Sequence, residues 1–194
     1  MNHIGTQNIQ TERFNLRRFK SSDYMDMYNN WTADPECAKF SSWKPHKSLK
    51  VTKTYLNNII KQYEKDDYYR WAITDQNNGE VIGSFIVYNI NNKKQSCIVG
   101  YTVARKLWGQ GIASEVLTEL IKYLTEQIGF KTIRAYHYIK NIASGKVMIK
   151  AGMIYEKDKW MLNGPKFISK CCIYIYSTDD KEAITWLQWL VQQL

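Results

Sequence analysis

The residues with the clearest chemical potential form a short loop, 108–112, that carries two glycines, Gly109 and Gly111. A strand-like alternating run ends just before this loop, and an amphipathic helix-like run begins just after it. Glycines let a backbone approach a ligand closely, and the first N–H groups of a helix lack partners inside the helix. Because the helix dipole is also positive there, the pattern predicts a site for a phosphate or pyrophosphate, with Arg105 and Lys106 adding positive charge.

This loop alone leaves two interpretations open, since a Gly-x-Gly between a strand and a helix also fits an ordinary tight turn. It is not a P-loop, which needs Gly-x-x-x-x-Gly-Lys-Ser/Thr. It is not a dinucleotide fingerprint either, because the preceding strand belongs to an antiparallel meander and the third glycine is missing.

Two motifs stand thirty residues apart along the chain. The first reads Trp108-x-x-Gly111-x-Ala113, and the second runs through residues 141–153 as NIASGKVMIKAGM. Together they resemble the pyrophosphate signature (Gln/Arg)-x-x-Gly-x-(Gly/Ala) and the NxxSxxVxxKxGF string of the GNAT acetyltransferases, especially the RimJ/RimL-type N-terminal acetyltransferases. Trp108 stands where Gln or Arg is usual. The resemblance covers about residues 10–177.

The resemblance implies acetyl-CoA as cosubstrate. No metal is expected, because the cysteines lack zinc-ligand spacing and the chain has only three histidines. In this family the backbone at the end of the fourth main strand pairs with the pantetheine arm, and the loop amides hold the pyrophosphate. Asn141 would contact the cofactor near the pantetheine or the thioester, and it fits a helix N-cap equally well. The implied cofactor-binding set is Thr102, Val103, Trp108, Gly109, Gln110, Gly111, Ile112, Ala113, Ser114 and Asn141.

The groups that usually transfer protons in this family are absent. The Glu that many relatives carry two residues before a Gly-Tyr pair is Ile98, and the Tyr that often follows the Asn by seven residues is Met148. Two catalytic candidates remain. Ser144 matches a serine near the departing sulfur, and it also fits a capping hydroxyl. His137 shares a strand face with Ile133 and Ala135, and an imidazole is a suitable base, but a structural role fits this residue as well.

Residue periodicity indicates the elements that position these residues. Alternation of period two predicts strands at 12–19, 69–74, 81–90, 96–104 and 132–139, and a hairpin over 153–177 with Asn163-Gly164-Pro165 in its loop. Tyrosines in these strands could line an acceptor site, although aromatic residues in strands usually pack. They are Tyr69, Tyr101, Tyr136 and Tyr138.

Helical spacing predicts two helices before the meander. Ser22 or Asp23 caps the first, which Asp34-Pro35 stops. Ser48 caps the second. Its apolar stripe is predicted to be Val51, Tyr55, Ile59 and Tyr63.

Three more helices are predicted after the meander. The longest follows the glycine loop and ends near Gly129, and a short one spans 143–151 before Gly152. A C-terminal helix at about 180–194 has a wide apolar face, which must pack on its own sheet or on another subunit of a homodimer. The residues predicted to lie inside the longest helix are Val116, Leu117, Leu120, Ile121 and Leu124.

This order of elements predicts an α+β fold with one parallel crossover. The resemblance sharpens it to the GNAT fold, a mixed, mostly antiparallel central sheet flanked by helices, with an extra C-terminal helix. The 194 residues predict a single domain, with its core at about 10–177 and an extension at about 180–194.

The composition limits the cellular compartments and the binding partners that we expect for this protein. No apolar run approaches the ~20 residues of a membrane span, and no apolar signal segment starts the chain, so we expect a cytoplasmic protein without a membrane partner. The four cysteines lack zinc spacing and are expected to be buried, reduced thiols. They are Cys37, Cys97, Cys171 and Cys172.

The formal net charge of +9 suits an anionic cofactor and disfavours polycationic acceptors. It comes mostly from 21 scattered lysines, a composition that an AT-rich genome also produces. The acceptor could be a protein N-terminal amine or a small amine. Two other functions compete with the enzyme. A non-catalytic CoA-binding module would explain why Ile98 and Met148 replace the usual Glu and Tyr. An RNA-binding protein is the other alternative, although this sequence carries no RRM, KH or zinc signature.

Overall fold

The computed structural model describes residues 1–163 and 167–180. Its strands are β1 (Ile9–Gln10), β2 (Phe14–Arg17), β3 (Tyr69–Asp75), β4 (Val81–Asn91), β5 (Ser96–Val103), β6 (Thr132–Tyr138), β7 (Ile154–Asn163) and β8 (Phe167–Ser177). They form one sheet in the order β1-β2-β3-β4-β5-β6-β8-β7. β5 and β6 pair in parallel, whereas β1–β2, β2–β3, β3–β4, β6–β8 and β7–β8 are antiparallel. The mixed, mostly antiparallel sheet is confirmed.

The helices are α1 (Tyr24–Met27), α2 (Pro35–Ala38), α3 (Leu49–Gln62), α4 (Ile112–Tyr123) and α5 (Ile142–Lys150). Two π-helical turns, Tyr28–Thr32 and Leu124–Ile128, continue α1 and α4. Short 3-10 turns lie at Ser21–Asp23, Arg105–Leu107 and Thr178–Asp180. None of the helices in these ranges is long and apolar enough to cross a membrane.

Residue contacts divide the chain into two compact units. The N-terminal unit contains residues 3–87 and 101–112, and the C-terminal unit contains residues 1–2, 88–100 and the chain from residue 113 onward. The core of the N-terminal unit joins α1 and α3 to one face of β3, and it consists of Phe19, Met27, Trp31, Cys37, Leu56, Ile59, Ala72 and Val81. In the C-terminal unit, α5 packs on β6 and β8. The five apolar residues predicted to lie inside the helix after the glycine loop are all buried.

The sequence predicts Ser22 or Asp23 as the cap of the first helix, and Asp23 is the N-cap residue of α1, although its side chain accepts no N–H of that helix. A 3-10 turn, Ser21–Asp23, precedes α1, and the N-cap of this turn is Lys20. Asp23 lies three residues further on and is buried. Its carboxylate accepts the N–H of Lys20 at 2.8 Å and pairs with Arg17 at 2.8 Å, so it satisfies the free end of the helix from inside the first turn.

Asp34-Pro35 was predicted to stop a helix, and this prediction is incomplete. The π turn ends at Thr32, and Asp34 then starts a new helix, α2. The Asp34 carboxylate accepts the N–H of Glu36 at 2.8 Å, and Pro35 occupies the first helical position, where its missing N–H costs nothing.

The Ser48 cap of α3 is confirmed, because its hydroxyl accepts the N–H of Val51 at 3.4 Å. The predicted stripe holds at Ile59, which is buried, and at Tyr55 and Tyr63, which pack against the core. It is wrong at Val51, which is 44% exposed, and the buried residues of α3 also include Thr52 and Leu56. The cause is polar. The Thr52 hydroxyl lies 3.0 Å from that of Thr32, and this buried pair turns the helix face toward the core.

Other predictions are confirmed with small changes. β1 is an additional two-residue strand that the sequence pattern did not indicate. Gly129 and Gly152 have left-handed backbones at the ends of their helices, as their positions predict. Cys172 is half-buried, so the expectation of four buried thiols holds for only three of them; all four thiols are free. Residues 164–166 of the hairpin loop and 181–194 of the predicted C-terminal helix lie outside the described residues.

Candidate active site

The glycine loop has the backbone that an anion site requires. Gly109 and Gly111 have φ values of +81° and +77°, in the left-handed region that side chains disfavour. α4 begins at Ile112, directly after them. A Cβ built on Gly109 would meet nothing within 4 Å, so the loop has open space on its outer side. The first amides of α4 therefore adjoin a loop that a phosphate group can approach closely.

The side chain of Trp108 hydrogen-bonds back to the end of β5. Its indole N–H donates to the carbonyl of Val103 at 2.8 Å, across the turn Arg105–Leu107. Half of the side chain stays exposed. Arg13 adds a second tie, because its guanidinium donates to the carbonyl of Gln110 at 3.1 Å. The loop is thus held at both ends within the N-terminal unit.

The two cations that the sequence places beside the loop are not free. The Arg105 guanidinium pairs with the Asp34 carboxylate at 2.8 Å. The Lys106 ammonium pairs with the Glu80 carboxylate at 2.6 Å and lowers the pKa of that carboxyl. Each of these two charges is therefore matched by a carboxylate. The expectation that they add positive charge for an anion stays a prediction.

The end of β5 offers backbone groups beyond its parallel ladder. β5 pairs with β6 from Ser96 opposite Thr132 to Ile98 opposite Arg134, although β5 continues to Val103. The Thr102 carbonyl faces β4, where a Cβ on Gly83 would stand only 2.5 Å from its oxygen. The cofactor resemblance placed Thr102 and Val103 at this strand end.

Asn141 and Ser144 lie together at the start of α5 in the C-terminal unit. Asn141 is the N-cap, and its side-chain oxygen accepts the N–H of Ser144 at 3.4 Å. Ser144 is half-buried in the first turn. The capping interpretation of Asn141 is confirmed, and it fixes the side chain without using its amide N–H groups.

His137 is buried on β6 together with Ile133 and Ala135, so the predicted shared face is confirmed. Its Nδ1 lies 3.0 Å from the Tyr138 carbonyl oxygen. Its Nε2 has no hydrogen-bond partner among the described residues and packs against Gly145 of α5. The imidazole therefore lies between strand and helix, only 7% exposed.

The tyrosines divide into two kinds. Tyr69 is fully buried and stacks on Trp71, so it belongs to the core. Tyr136 and Tyr138 lie on the face of β6 opposite His137, and Tyr136 hydrogen-bonds Tyr88 of β4. Burial raises the pKa of Tyr88 above its usual range and that of Tyr138 to about 12, so both stay protonated near neutrality. The sequence pattern places Tyr88 in a strand but does not single it out as a site residue.

Comparison with known proteins decides the family, because residues 13–154 match the domain described as acetyltransferase (GNAT). The chain belongs to the GNAT acetyltransferases. It is 23% identical over 150 residues to the uncharacterized N-acetyltransferase YoaA of Bacillus subtilis strain 168, covering 77% of this chain and 83% of that protein. It is 25% identical over 113 residues to a ribosomal protein uS5-alanine N-acetyltransferase of Escherichia coli, covering 56% and 58%.

A solved structure shows the same fold. A GNAT-family acetyltransferase from Bacillus anthracis superposes with a TM-score of 0.78 at 19% identity, over 90% of this chain and all of that one. The resemblance that the two motifs indicated is confirmed, and the chain has the GNAT fold. The family makes the protein an N-acetyltransferase that uses acetyl-CoA.

Ile98 and Met148 stand where the resemblance leads us to expect a Glu and a Tyr. Ile98 is a half-buried apolar residue on β5, and Met148 is buried in α5, only 1% exposed. Neither can exchange a proton. Among the residues that the structure describes, no group of three or more His, Cys, Asp and Glu side chains could hold a metal ion.

The thiols of this acetyltransferase are poor nucleophiles. Burial raises the pKa of Cys37 to about 11 and raises those of Cys97 and Cys171 as well. Since the thiolate is the reactive form, these groups are inert near neutral pH. The buried thiols of Cys37, Cys97 and Cys171 therefore do not support a covalent acetyl-cysteine step.

Proposed function

We propose that this acetyltransferase binds acetyl-CoA with its pyrophosphate on the loop 109–114 and transfers the acetyl group directly to a primary amine in a ternary complex. The observation that carries the proposal is the pair of left-handed glycines leading into α4. Oriented backbone N–H groups at a helix start bind phosphates without needing a lysine or arginine. This matters here because both neighbouring cations are already paired.

Direct transfer sets three chemical requirements. The acceptor amine must lose a proton, since its usual pKa is ~8 for an α-amine and ~10.4 for a lysine. Its nitrogen then attacks the thioester carbon, and the carbon–sulfur bond breaks. A backbone N–H of β5 would polarise the carbonyl, and the Ser144 hydroxyl would stabilise the leaving thiolate. The amine proton leaves to water or to a base, for which His137 is the candidate.

Asn141 would hold the cofactor near its thioester, as the resemblance implies. Its side-chain oxygen is used in the α5 cap, so its amide N–H groups are the donors for this role. Thr102 and Val103 would pair with the pantetheine arm. These assignments rest on the motif positions and on the local geometry of each residue.

The acceptor is either a protein N-terminal amine or a small amine. The Escherichia coli relative, by its name, acts on the alanine of ribosomal protein uS5, which favours an N-terminal amine. The net charge of +9 opposes a polycationic acceptor such as a polyamine.

The test is a turnover assay that detects free CoA thiol. Purified protein is incubated with acetyl-CoA and one acceptor at a time. The acceptors are N-terminal peptides, amino sugars and polyamines. We expect amine-dependent thiol release with at least one uncharged or singly charged acceptor. If calorimetry shows tight CoA binding and no amine is acetylated, the alternative is favoured, which is a non-catalytic CoA-binding module. The apolar residues Ile98 and Met148, at the positions of the usual Glu and Tyr, support this alternative.

A further inference from the structure

The turn that leads into the glycine loop is held by two carboxylates from distant parts of the sequence. Arg105 pairs with Asp34 at 2.8 Å, and Lys106 pairs with Glu80 at 2.6 Å. All four residues belong to the N-terminal unit. The cationic side chains are more than half exposed, whereas Asp34 and Glu80 are 18% and 33% exposed. The carboxylates are thus the fixed partners, and the cations reach toward them.

Each carboxylate is itself anchored to the framework. One oxygen of Asp34 accepts the N–H of Glu36 at 2.8 Å, so it caps α2, while the other oxygen holds Arg105. Glu80 accepts from the side-chain amide of Asn30 at 2.9 Å. Asn30 is 9% exposed and also donates to the carbonyl of Val81 at 2.8 Å. The positions of both carboxylates are therefore set independently of the loop.

One side of the turn Arg105–Leu107 borders a polar cavity of about 400 Å³. Its lining residues are Asn29, Asn30, Asp34, Arg105 and Lys106. The backbone bond from Ala104 to Ile82 and the indole bond from Trp108 to Val103 hold the two ends of the turn. On the cavity side, the two ion pairs are the contacts that hold its side chains in place.

The pairs have a cost for a protein that binds a polyanion. They neutralise the two cations that would attract phosphate groups, and partly exposed ion pairs contribute little to the stability of a fold. We propose that Asp34 and Glu80 are positioning residues, which hold the turn Arg105–Leu107 so that the backbone N–H groups after it face the pyrophosphate. This inference rests on the proposed function of loop 109–114.

Asp34 and Glu80 could either offset positive charge or position the loop, and these two roles predict opposite results when the carboxylates are neutralised. If Asp34 and Glu80 only offset positive charge, then Asp34→Asn and Glu80→Gln free a cation and strengthen acetyl-CoA binding. If they position the loop, the same changes weaken it. Asn caps a helix as well as Asp does, so Asp34→Asn removes the ion pair and keeps the start of α2.

We expect KM for acetyl-CoA and the dissociation constant of CoA to rise about threefold for each single variant, and further for the double variant, as an exposed ion pair allows. The value of kcat at saturating acetyl-CoA should stay within about twofold, because the reacting atoms are untouched. A KM that is unchanged or lower in both single variants would overturn the inference. The two singles are measured separately, so a folding failure in one leaves the other as the test.

Two controls separate this result from others. Glu36→Gln removes the same charge two residues from Asp34, at a pair with Lys39 in which both side chains are about half exposed, and it should leave KM unchanged. In an Arg105→Gln background, Asp34→Asn should have no further effect on KM, since its partner is gone. Calorimetry of the wild type with CoA is run first. No binding there contradicts the proposed function, whereas normal binding with a failed carboxylate test contradicts only the positioning role.

Discussion

The imidazole of His137 occupies the space that a side chain at Gly145 would need. A Cβ built on Gly145 would stand 2.7 Å from Nε2 of His137. The contact joins α5, which carries Asn141 and Ser144, to the middle of β6. Glycine at this helical position therefore permits close packing of the helix on the strand, at the usual cost of glycine in a helix.

Gly145→Ala is expected to destabilise the protein. Alanine would normally stabilise a helix interior by about 1 kcal/mol relative to glycine. Here the overpacked contact with a buried ring reverses the sign, and we expect a net loss of about 1–3 kcal/mol in the free energy of unfolding. Urea denaturation measures it. In a His137→Ala background, the same substitution should become stabilising, and if it stabilises the wild type the packing contact is wrong.

Gly83→Ala is expected to disturb the strand end at Thr102. The new Cβ would lie 2.5 Å from the Thr102 carbonyl oxygen and 3.2 Å from the Cα of Val103, which are backbone atoms that cannot rotate away. We expect a loss of about 1–3 kcal/mol in unfolding free energy and weaker CoA binding, because β5 must shift. Melting curves and calorimetry test this. Wild-type stability and wild-type CoA binding in this variant would contradict the close approach of Gly83 to the Thr102 carbonyl.

Gly111→Glu is expected to abolish acetyl-CoA binding. Position 111 has a left-handed backbone beside the start of α4, and a glutamate there adds a clash and a negative charge next to the pyrophosphate. Gly79→Glu is the matched control, since Gly79 also has a positive φ, at +73°, and lies in the open turn before β4. If both variants bind CoA equally in calorimetry, the loop is not the pyrophosphate site.

Cys172 provides a test of local electrostatics by pH. Burial and the hydrogen bond to Asp158 raise the pKa of its thiol, while Lys170 lowers it. Asp158→Asn removes an anion, so the pKa of the Cys172 thiol falls and its thiolate fraction at pH 8 rises. Its exchange with a chromogenic disulfide should therefore be several-fold faster, and the absorbance of the released thiol measures the rate. Cys172→Ser should remove this reaction from the native protein, whereas denaturation of the wild type should expose four thiols.

The sequence predicts the loop, α4 and the meander well because their signals are local. Gly109 and Gly111 lie between a segment whose apolar residues alternate as in a strand and a segment whose apolar residues recur as in a helix. No distant contact is needed to interpret this pattern. The face of α3 could not be predicted so well. Val51 fits an apolar stripe, but the buried contact of Thr52 with Thr32 decides which side of the helix faces inward.

The charges of the loop show the same limit. Arg105 and Lys106 look like free cations in the sequence, because their partners Asp34 and Glu80 are far away along the chain. Likewise, the contact of Tyr88 with Tyr136 joins two strands separated by β5 and α4. Pairing between distant residues depends on the register of the sheet, which one sequence does not show.

The final prediction separates the two catalytic candidates. Ser144→Ala should lower kcat by about 100-fold if its hydroxyl stabilises the leaving thiolate, with KM for acetyl-CoA little changed. His137→Gln should lower kcat, with KM for acetyl-CoA little changed, if the imidazole accepts the amine proton. Because the ring is buried against Gly145, this variant is also expected to be less stable, so kcat is measured well below its melting temperature. Rates within about threefold of wild type for both variants would leave the reaction to backbone positioning and water.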